Sequence, residues 1–412
     1  MEYGCIGEKL QHSFSKEIHE KIGNYQYELR EIKPYALAAF FEQRDFKAIN
    51  VTIPYKNAVI GFLDEIDDAA ASIGAVNTVV NKNGRLAGFN TDCFGLQALL
   101  KKEYIELKGK TVLILGSGGT AHTAAYVSRK WKAEKTVFVS RTPKADAVSY
   151  AEAIKKYPHA EVIINTTPVG MYPQIFASPI ELNAFPALQA FVDVIYNPLR
   201  SAVSLAARRR GVKTANGLYM LTAQAVKASS LFSACSTNDV EIEAIYRCLL
   251  FEKQNIVLIG MPGCGKTTVG RLLAQRLHRP FYDTDELIYK SAGKKIADII
   301  TQHGEPYFRS VENETIKNLA EETGCVIATG GGAVLSRQNT DHLGMNGILV
   351  FLNRSPQLLA PSPERPLSAT KEDLLKRYEE RIDIYRAAAE VCIEADASPE
   401  YVAAEIERRL TP

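Results

Sequence analysis

Residues 260–267 read Gly260-Met261-Pro262-Gly263-Cys264-Gly265-Lys266-Thr267 and fit Gly-x-x-x-x-Gly-Lys-Thr at every defined position. Backbone N–H groups of Gly263, Cys264 and Gly265 in such a turn would cradle phosphates. Lys266 would reach the β and γ groups, and the Thr267 hydroxyl, with Thr268 beside it, would meet Mg²⁺. Asp283 and Asp285 lie two apart at a predicted strand end, which suits one carboxylate to the metal and the other to an acceptor hydroxyl. A second turn, Gly116, Ser117, Gly118, Gly119, Thr120 and Ala121, reads Gly-x-Gly-x-x-Ala, the dinucleotide fingerprint with Ala in its third slot. By itself that turn also fits, less well, a plain strand-to-helix corner without a ligand. The next predicted strand, 136–139, ends in Ser140-Arg141-Thr142, where an NAD enzyme would carry an acidic residue. A guanidinium and a hydroxyl there suit a 2′-phosphate, which favours NADP(H) over NAD.

Apolar runs at 111–115 and 255–259 precede the two turns and predict buried strands, each followed by a helix pattern. Further strands are expected at 3–6, 27–31, 48–51, 161–165, 191–194, 280–283, 325–329 and 347–352, with helices at 242–251 and 374–385. Strand and helix alternate as in parallel α/β folds. The junction near 252 carries no Gly or Pro and reads as a helix end running into a strand. A chain of 412 residues holds two to four such units, and 46% hydrophobic with 23% charged residues excludes disordered and low-complexity classes. A formal charge of +2 calls for neither nucleic acid nor an anionic membrane. The N-terminus lacks a secretory pattern, no apolar run is long enough to span a bilayer, and seven scattered cysteines without Cys-x-x-Cys imply reduced thiols in a cytoplasm. The seven histidines show no metal-ligand spacing.

Upstream stand three polar clusters: His12-Ser13-Phe14-Ser15, Asn50-Val51-Thr52-Ile53-Pro54-Tyr55-Lys56, and Asn77-Thr78 with Asn90-Thr91-Asp92. Each alone reads as a cap or turn. In this order, with the Gly-rich turn, Ser140-Arg141-Thr142 and Gly217-x-x-Met220-Leu221-x-x-Gln224, they resemble shikimate dehydrogenase over about residues 1–250. The resemblance implies that Ser13 and Ser15 hold the substrate carboxylate. Thr52, Asn77, Asp92, Tyr196 and Gln224 would read the ring hydroxyls, and Lys56 with Asp92 would form the catalytic pair. The cofactor would touch the turn at 116–121, Arg141, Thr142, Val194 and Gly217. Ser140 replaces the asparagine usual before this arginine, and Lys16 the proline usual after the second serine.

Beyond the phosphate loop come Gly304-Glu305-x-x-Phe308-Arg309-x-x-Glu312, the triplet Gly330-Gly331-Gly332, Arg365-Pro366-Leu367 and Arg381. Singly these are turn or surface ion-pair residues. As a set they resemble shikimate kinase over about residues 254–412. The resemblance implies that Arg309 and Arg381 clamp the substrate carboxylate and that Gly330, Gly331 and Gly332 admit close backbone approach. Asp285 would orient and deprotonate the acceptor hydroxyl, and Arg365 would arrive on a lid, shortened here and rich in proline, to neutralise the transferring phosphate. Thr267 and Asp283 would hold Mg²⁺.

The expected architecture is an open-sheet α/β substrate domain (1–105 plus 217–250), a Rossmann NADP domain (106–216) and a P-loop kinase domain with a parallel sheet (254–412). Expected ligands are NADP(H), ATP, Mg²⁺, 3-dehydroshikimate and shikimate, with no nucleic acid or membrane partner; monomer and homodimer both stay open. Two other readings remain. One is a quinate/shikimate dehydrogenase preferring NAD, fused to the kinase. The other is a non-catalytic sensor, whose chemical residues should have eroded, whereas Lys56, Asp92, Lys266, Thr267 and Asp285 all stand.

Overall fold

Six strands build the first sheet: β1 (Tyr3–Gly7), β2 (Glu28–Glu31), β3 (Ala48–Val51), β4 (Glu65–Ile66), β5 (Thr78–Lys82) and β6 (Arg85–Phe89), in the order β2-β1-β3-β5-β6-β4. β1 runs parallel to β2 and β3, but β3–β5 and β5–β6 are antiparallel. The sheet is therefore mixed, where strand and helix alternation suggested a parallel one. Asn83-Gly84 is the physical reason. Both residues have positive φ, 56° and 89°, and they join the paired Lys82 and Arg85 as a two-residue hairpin turn.

The structure, a computed structural model, describes residues 1–10, 14–23, 25–143, 146–233, 238–359 and 370–412, and the chain divides into two compact units, Met1–Leu249 and Leu250–Pro412. The first unit holds a second sheet of β7 (Thr111–Leu115), β8 (Lys135–Val139), β9 (Ala147–Val148), β10 (Val162–Asn165), β11 (Ala190–Asp193) and β12 (Lys213–Ala215). Its order is β12-β11-β10-β7-β8-β9 with every pair parallel. Helices cover both faces, so β7 and β10 are apolar runs rather than alternating ones: Val112 to Leu115 and Val162 to Ile164 are fully buried. The strand order reverses between β7 and β10, and doubly wound sheets take ligands in that crevice. The helix Gly217–Ser233 returns to pack on the helix Thr91–Lys102, which Gly95 permits: a Cβ there would lie 2.5 Å from the Met220 carbonyl oxygen.

In the second unit β13 (Asn255–Ile259), β14 (Phe281–Asp283), β15 (Val326–Ala328), β16 (Gly347–Asn353) and β17 (Val391–Glu394) form one parallel sheet, ordered β14-β15-β13-β16-β17. Gln254 alone separates the helix Asp239–Lys253 from β13. Arg279 fastens its last turn: Nη1 donates to the Gln254 carbonyl at 2.8 Å, Nη2 donates to that of Phe251, and the guanidinium lies 4.3 Å from the Phe251 ring centroid. A cation here satisfies carbonyls that the helix leaves without partners. Arg279→Ala should cost about 1–3 kcal/mol. Calorimetry should then show the second unit's melting transition falling by roughly 3–8 °C while that of the first stays in place. Among the described residues no helix is long and apolar enough to cross a membrane.

Candidate active sites

The β5–β6 hairpin assembles the first site. Pairing of Asn50 with Thr78 and of Thr78 with Phe89 sets the end of β3, the start of β5 and the end of β6 side by side. Asn77 precedes β5. Asn90 caps the helix Thr91–Lys102, its Oδ1 accepting from Cys93 N at 3.1 Å, and so turns Asp92 toward the segment that follows β3. There Lys56 Nζ donates to Asp92 Oδ2 at 2.5 Å, the two side chains being only 15% and 11% exposed. Asp92 Oδ1 accepts from Asn77 Nδ2 at 2.9 Å, and Gln224 Oε1, from the helix Gly217–Ser233, lies 3.3 Å from Thr91 Oγ1. Shielding from water strengthens this ion pair and keeps the ammonium placed.

Lys56 also lines a cavity of about 500 Å³ whose wall includes Gly116, Ser117, Gly118, Gly119, Thr120, Arg141 and Thr142. The turn has room for an anion. Gly116 has φ 112° and nothing lies within 4 Å of a Cβ built on Gly118, so the first N–H groups of the helix Gly119–Lys130 are approachable. A dinucleotide fits this donor set. Arg141 and Thr142 stand at the end of β8, as the NADP expectation requires. Other expected positions do not line the cavity. Ala121 is fully buried in the helix packing. The Val194 carbonyl abuts Gly217, which only a residue without Cβ allows. Burial pushes the Tyr196 phenol up to about 12, and its ring centroid lies 5.2 Å from that of Phe14. Ser15 begins the helix Ser15–Ile22, and Thr52 packs against Gly7. Ser13 lies outside the described residues. Tyr150, Thr166 and Thr167 line the cavity and were not anticipated. The threonines follow β10 at the strand-order reversal, which only the assembled sheet shows.

The second site is a cavity of about 740 Å³ at the carboxyl ends of β13, β14 and β15. Gly263 and Gly265 have φ of 80° and 97°, conformations that Gly adopts at no steric cost. Lys266 Nζ donates to the carbonyls of Gly260 and Met261, both at 2.9 Å. Thr267 Oγ1 donates to Asp283 Oδ2 at 2.7 Å, an oxygen pair suited to a hard cation such as Mg²⁺. Asp283 and Asp285 are not aligned by strand alternation, as their spacing suggested. β14 ends at Asp283, which caps the helix Thr284–Ala292 by accepting from Asp285 N at 2.9 Å, and the first helical turn carries Asp285 into the cavity.

Arg309 Nη1 donates to Glu312 Oε2 at 2.8 Å and Nη2 donates to Glu305 Oε1 at 2.9 Å. Glu312 is 1% exposed, and burial pushes its carboxyl above the usual range. The glycine triplet fits between these groups. A Cβ on Gly330 would sit 2.8 Å from Glu312 Oε1 and 2.9 Å from Asp285 Oδ1, and one on Gly332 would collide with the Arg309 guanidinium. Arg381 Nη1 donates to the Gly331 carbonyl at 3.4 Å. Thr268 lines the same cavity. Cys264 does not: its thiol is buried against Gly260, and its N–H donates to the Met261 carbonyl at 3.2 Å instead of facing the cavity. Arg365 and most of the expected lid lie outside the described residues. Tyr289, Lys295 and Arg377 line the cavity unforeseen. Arg377 stands four residues before Arg381 on the helix Lys371–Ala388, a spacing that shares one face and was readable.

Residues 5–79 match the family model described as shikimate dehydrogenase substrate binding domain, and residues 262–411 match that described as shikimate kinase. Shikimate dehydrogenase (NADP(+)) of Clostridium perfringens is 34% identical over 262 residues, which cover 59% of this chain and 96% of that protein. The chain belongs to the shikimate dehydrogenase family. Among solved structures, shikimate dehydrogenase 1 from Peptoclostridium difficile is similar at 32% identity and TM-score 0.57, covering 60% of this chain and 98% of its own. The shikimate dehydrogenase of Thermus thermophilus in complex with NADP(H) and shikimate matches at 31% and 0.54, covering 60% and 99%. A shikimate kinase domain follows the dehydrogenase part, and its family match begins inside the phosphate loop, at Pro262.

Proposed function

We propose that this bifunctional enzyme reduces 3-dehydroshikimate to shikimate with NADPH in its first unit and transfers phosphate from ATP to the shikimate 3-hydroxyl in its second. One observation carries the reading: a largely buried ammonium–carboxylate pair borders a dinucleotide cavity in the same chain as a phosphate-loop cavity that gathers Arg309, Arg377 and Arg381 around Asp285. NADPH supplies the hydride, and ATP with Mg²⁺ supplies the phosphoryl group and screens its charge. In the first site the Lys56 ammonium stabilises oxyanion character on the ketone and donates the proton, while Asp92 keeps it aimed. Ser13, Ser15, Thr52, Asn77, Tyr196 and Gln224 would read the substrate, and Val194 and Gly217 would flank the cofactor.

In the second site Asp285 takes the acceptor proton, Arg309 and Arg381 hold the carboxylate, and Lys266 with Arg365 meets the charge on the transferring group. The working division is a substrate portion (1–105 with 217–250), an NADP portion (106–216) and the kinase (254–412), in a cytoplasmic monomer or homodimer without a nucleic-acid partner. Full-length protein incubated with 3-dehydroshikimate, NADPH, ATP and Mg²⁺ should oxidise NADPH and accumulate shikimate 3-phosphate; no shikimate 3-phosphate would overturn the proposal. The NAD-preferring quinate alternative turns on Arg141. Arg141→Asp should lower kcat/KM for NADPH at least tenfold, about 1.4 kcal/mol, and raise it for NADH, because a guanidinium at that place favours the 2′-phosphate.

A further inference from the structure

Behind the Lys56–Asp92 pair runs a buried file of polar side chains, of which Tyr27, Asn50 and Thr78 have no part in the steps above. Tyr27 O–H donates to Asn50 Oδ1 at 2.6 Å, Asn50 Nδ2 to Thr78 Oγ1 at 3.1 Å, Thr78 O–H to Asn77 Oδ1 at 3.1 Å, and Asn77 Nδ2 to Asp92 Oδ1 at 2.9 Å. All donors point one way, toward the carboxylate that holds Lys56. Groups with a single option fix the two amides, while the Thr78 hydroxyl has both Asn77 Oδ1 and Thr91 Oγ1 within reach. The Thr91 backbone N–H can only donate, and it meets Asn77 Oδ1 at 2.7 Å, so the amide's NH₂ must face Asp92. The Asn77 main-chain carbonyl can only accept, and it meets Asn50 Nδ2 at 3.3 Å, which leaves Asn50 Oδ1 to Tyr27.

The file is sealed. Tyr27 and Thr78 are 1% and 0% exposed, and the His19 ring lies over Tyr27 at 4.0 Å and 4°. Burial pushes His19 down to about 3, so that wall is neutral. In a low-dielectric interior aligned hydrogen bonds polarise one another, and here the polarisation ends on Asp92. The Thr91 hydroxyl lies 3.2 Å from both Thr78 Oγ1 and Asn77 Oδ1 and 3.3 Å from Gln224 Oε1, so it joins the file to the Gln224 side of the pocket.

We infer that Tyr27, Asn50 and Thr78 are positioning residues for hydride transfer: they back the Asn77 amide that the Thr91 N–H has turned toward Asp92 and polarise its NH₂ toward that carboxylate, so that the Lys56 ammonium is aimed before substrate arrives. The inference rests on the reductase reading of the first site. Its test compares Thr78→Val, nearly isosteric but without the hydroxyl, with Thr78→Ser, which keeps it, and adds Tyr27→Phe. Each full-length variant is assayed well below its melting temperature.

Thr78→Val should lower kcat for 3-dehydroshikimate reduction roughly tenfold with KM for NADPH unchanged, and Thr78→Ser should restore most of it. Tyr27→Phe should lower the same constant roughly two- to fivefold. Phosphorylation of shikimate by the same chains should hold at the wild-type rate. Wild-type kcat in Thr78→Val, or a Thr78→Ser as slow as Thr78→Val, would overturn the inference. Should Thr78→Val fail to fold, Tyr27→Phe decides: full kcat there overturns it. A wild-type chain unable to reduce 3-dehydroshikimate would instead count against the reductase reading.

Discussion

Lys56→Ala should lower kcat/KM for 3-dehydroshikimate reduction by roughly 10²–10⁴ and leave shikimate phosphorylation at the wild-type rate, measured on one preparation with NADPH oxidation and ADP release as the two readouts. Reduction adds a hydride to carbon while negative charge grows on oxygen. A fixed ammonium gains most where water is scarce, and Lys56 is 15% exposed and held at 2.5 Å by Asp92. Alanine removes the charge and, with it, the proposed proton donor. It also leaves Asp92, itself 11% exposed, without its cation. The loss should therefore fall mainly on kcat, with KM for NADPH little changed, because the Gly-rich turn and Arg141 stay in place. Loss of both activities would refute independent sites.

The converse should hold for Lys266→Ala: phosphorylation falls by roughly 10²–10⁴ while reduction persists. Lys266 is 8% exposed and its ammonium donates to two loop carbonyls, so meeting phosphate oxygens is an exchange of partners and not travel from bulk water. Alanine at 266 should not collapse the loop. Thr267 still meets Asp283 at 2.7 Å, Val269 N still donates to the Gly265 carbonyl at 2.9 Å, and β13 stays paired on both sides. An unchanged melting temperature alongside lost phosphorylation would separate a chemical role from a structural one. Unaltered phosphorylation would refute the role given to this lysine.

The two Gly-rich turns were legible because each is a local event. Their glycines supply backbone conformations and clearance that the loop itself requires, and an apolar run before each one names the strand that presents it. The glycine triplet was legible for another reason. Gly330 and Gly332 stand where a Cβ would strike Asp285, Glu312 or Arg309, so clearance demands the residue type that the sequence displays. Less was legible where geometry came from afar. The β5–β6 hairpin was not expected although Asn83-Gly84 marks a two-residue turn, because Thr78–Lys82 and Arg85–Phe89 each mix polar with apolar residues and neither is a continuous apolar run. Asp283 and Asp285 share a cavity as expected, yet through a helix cap and a first helical turn instead of strand alternation. Cys264 showed that membership in a phosphate loop does not place every N–H toward the ligand: its thiol takes the core side, and its own N–H closes a turn on Met261.

By itself the sequence determined which chemical groups the chain owns and which backbone turns can hold phosphate, since both follow from residue type and neighbouring residues. Only the tertiary structure decided which groups meet. Lys56 and Asp92 are 36 residues apart and join because an antiparallel hairpin sets β3 and β6 in register. Gln224 reaches Thr91 across 133 residues because Gly95 lets two helices touch. Such contacts depend on register and close packing, and a chain of residue types carries neither until the sheets and helices have formed around it.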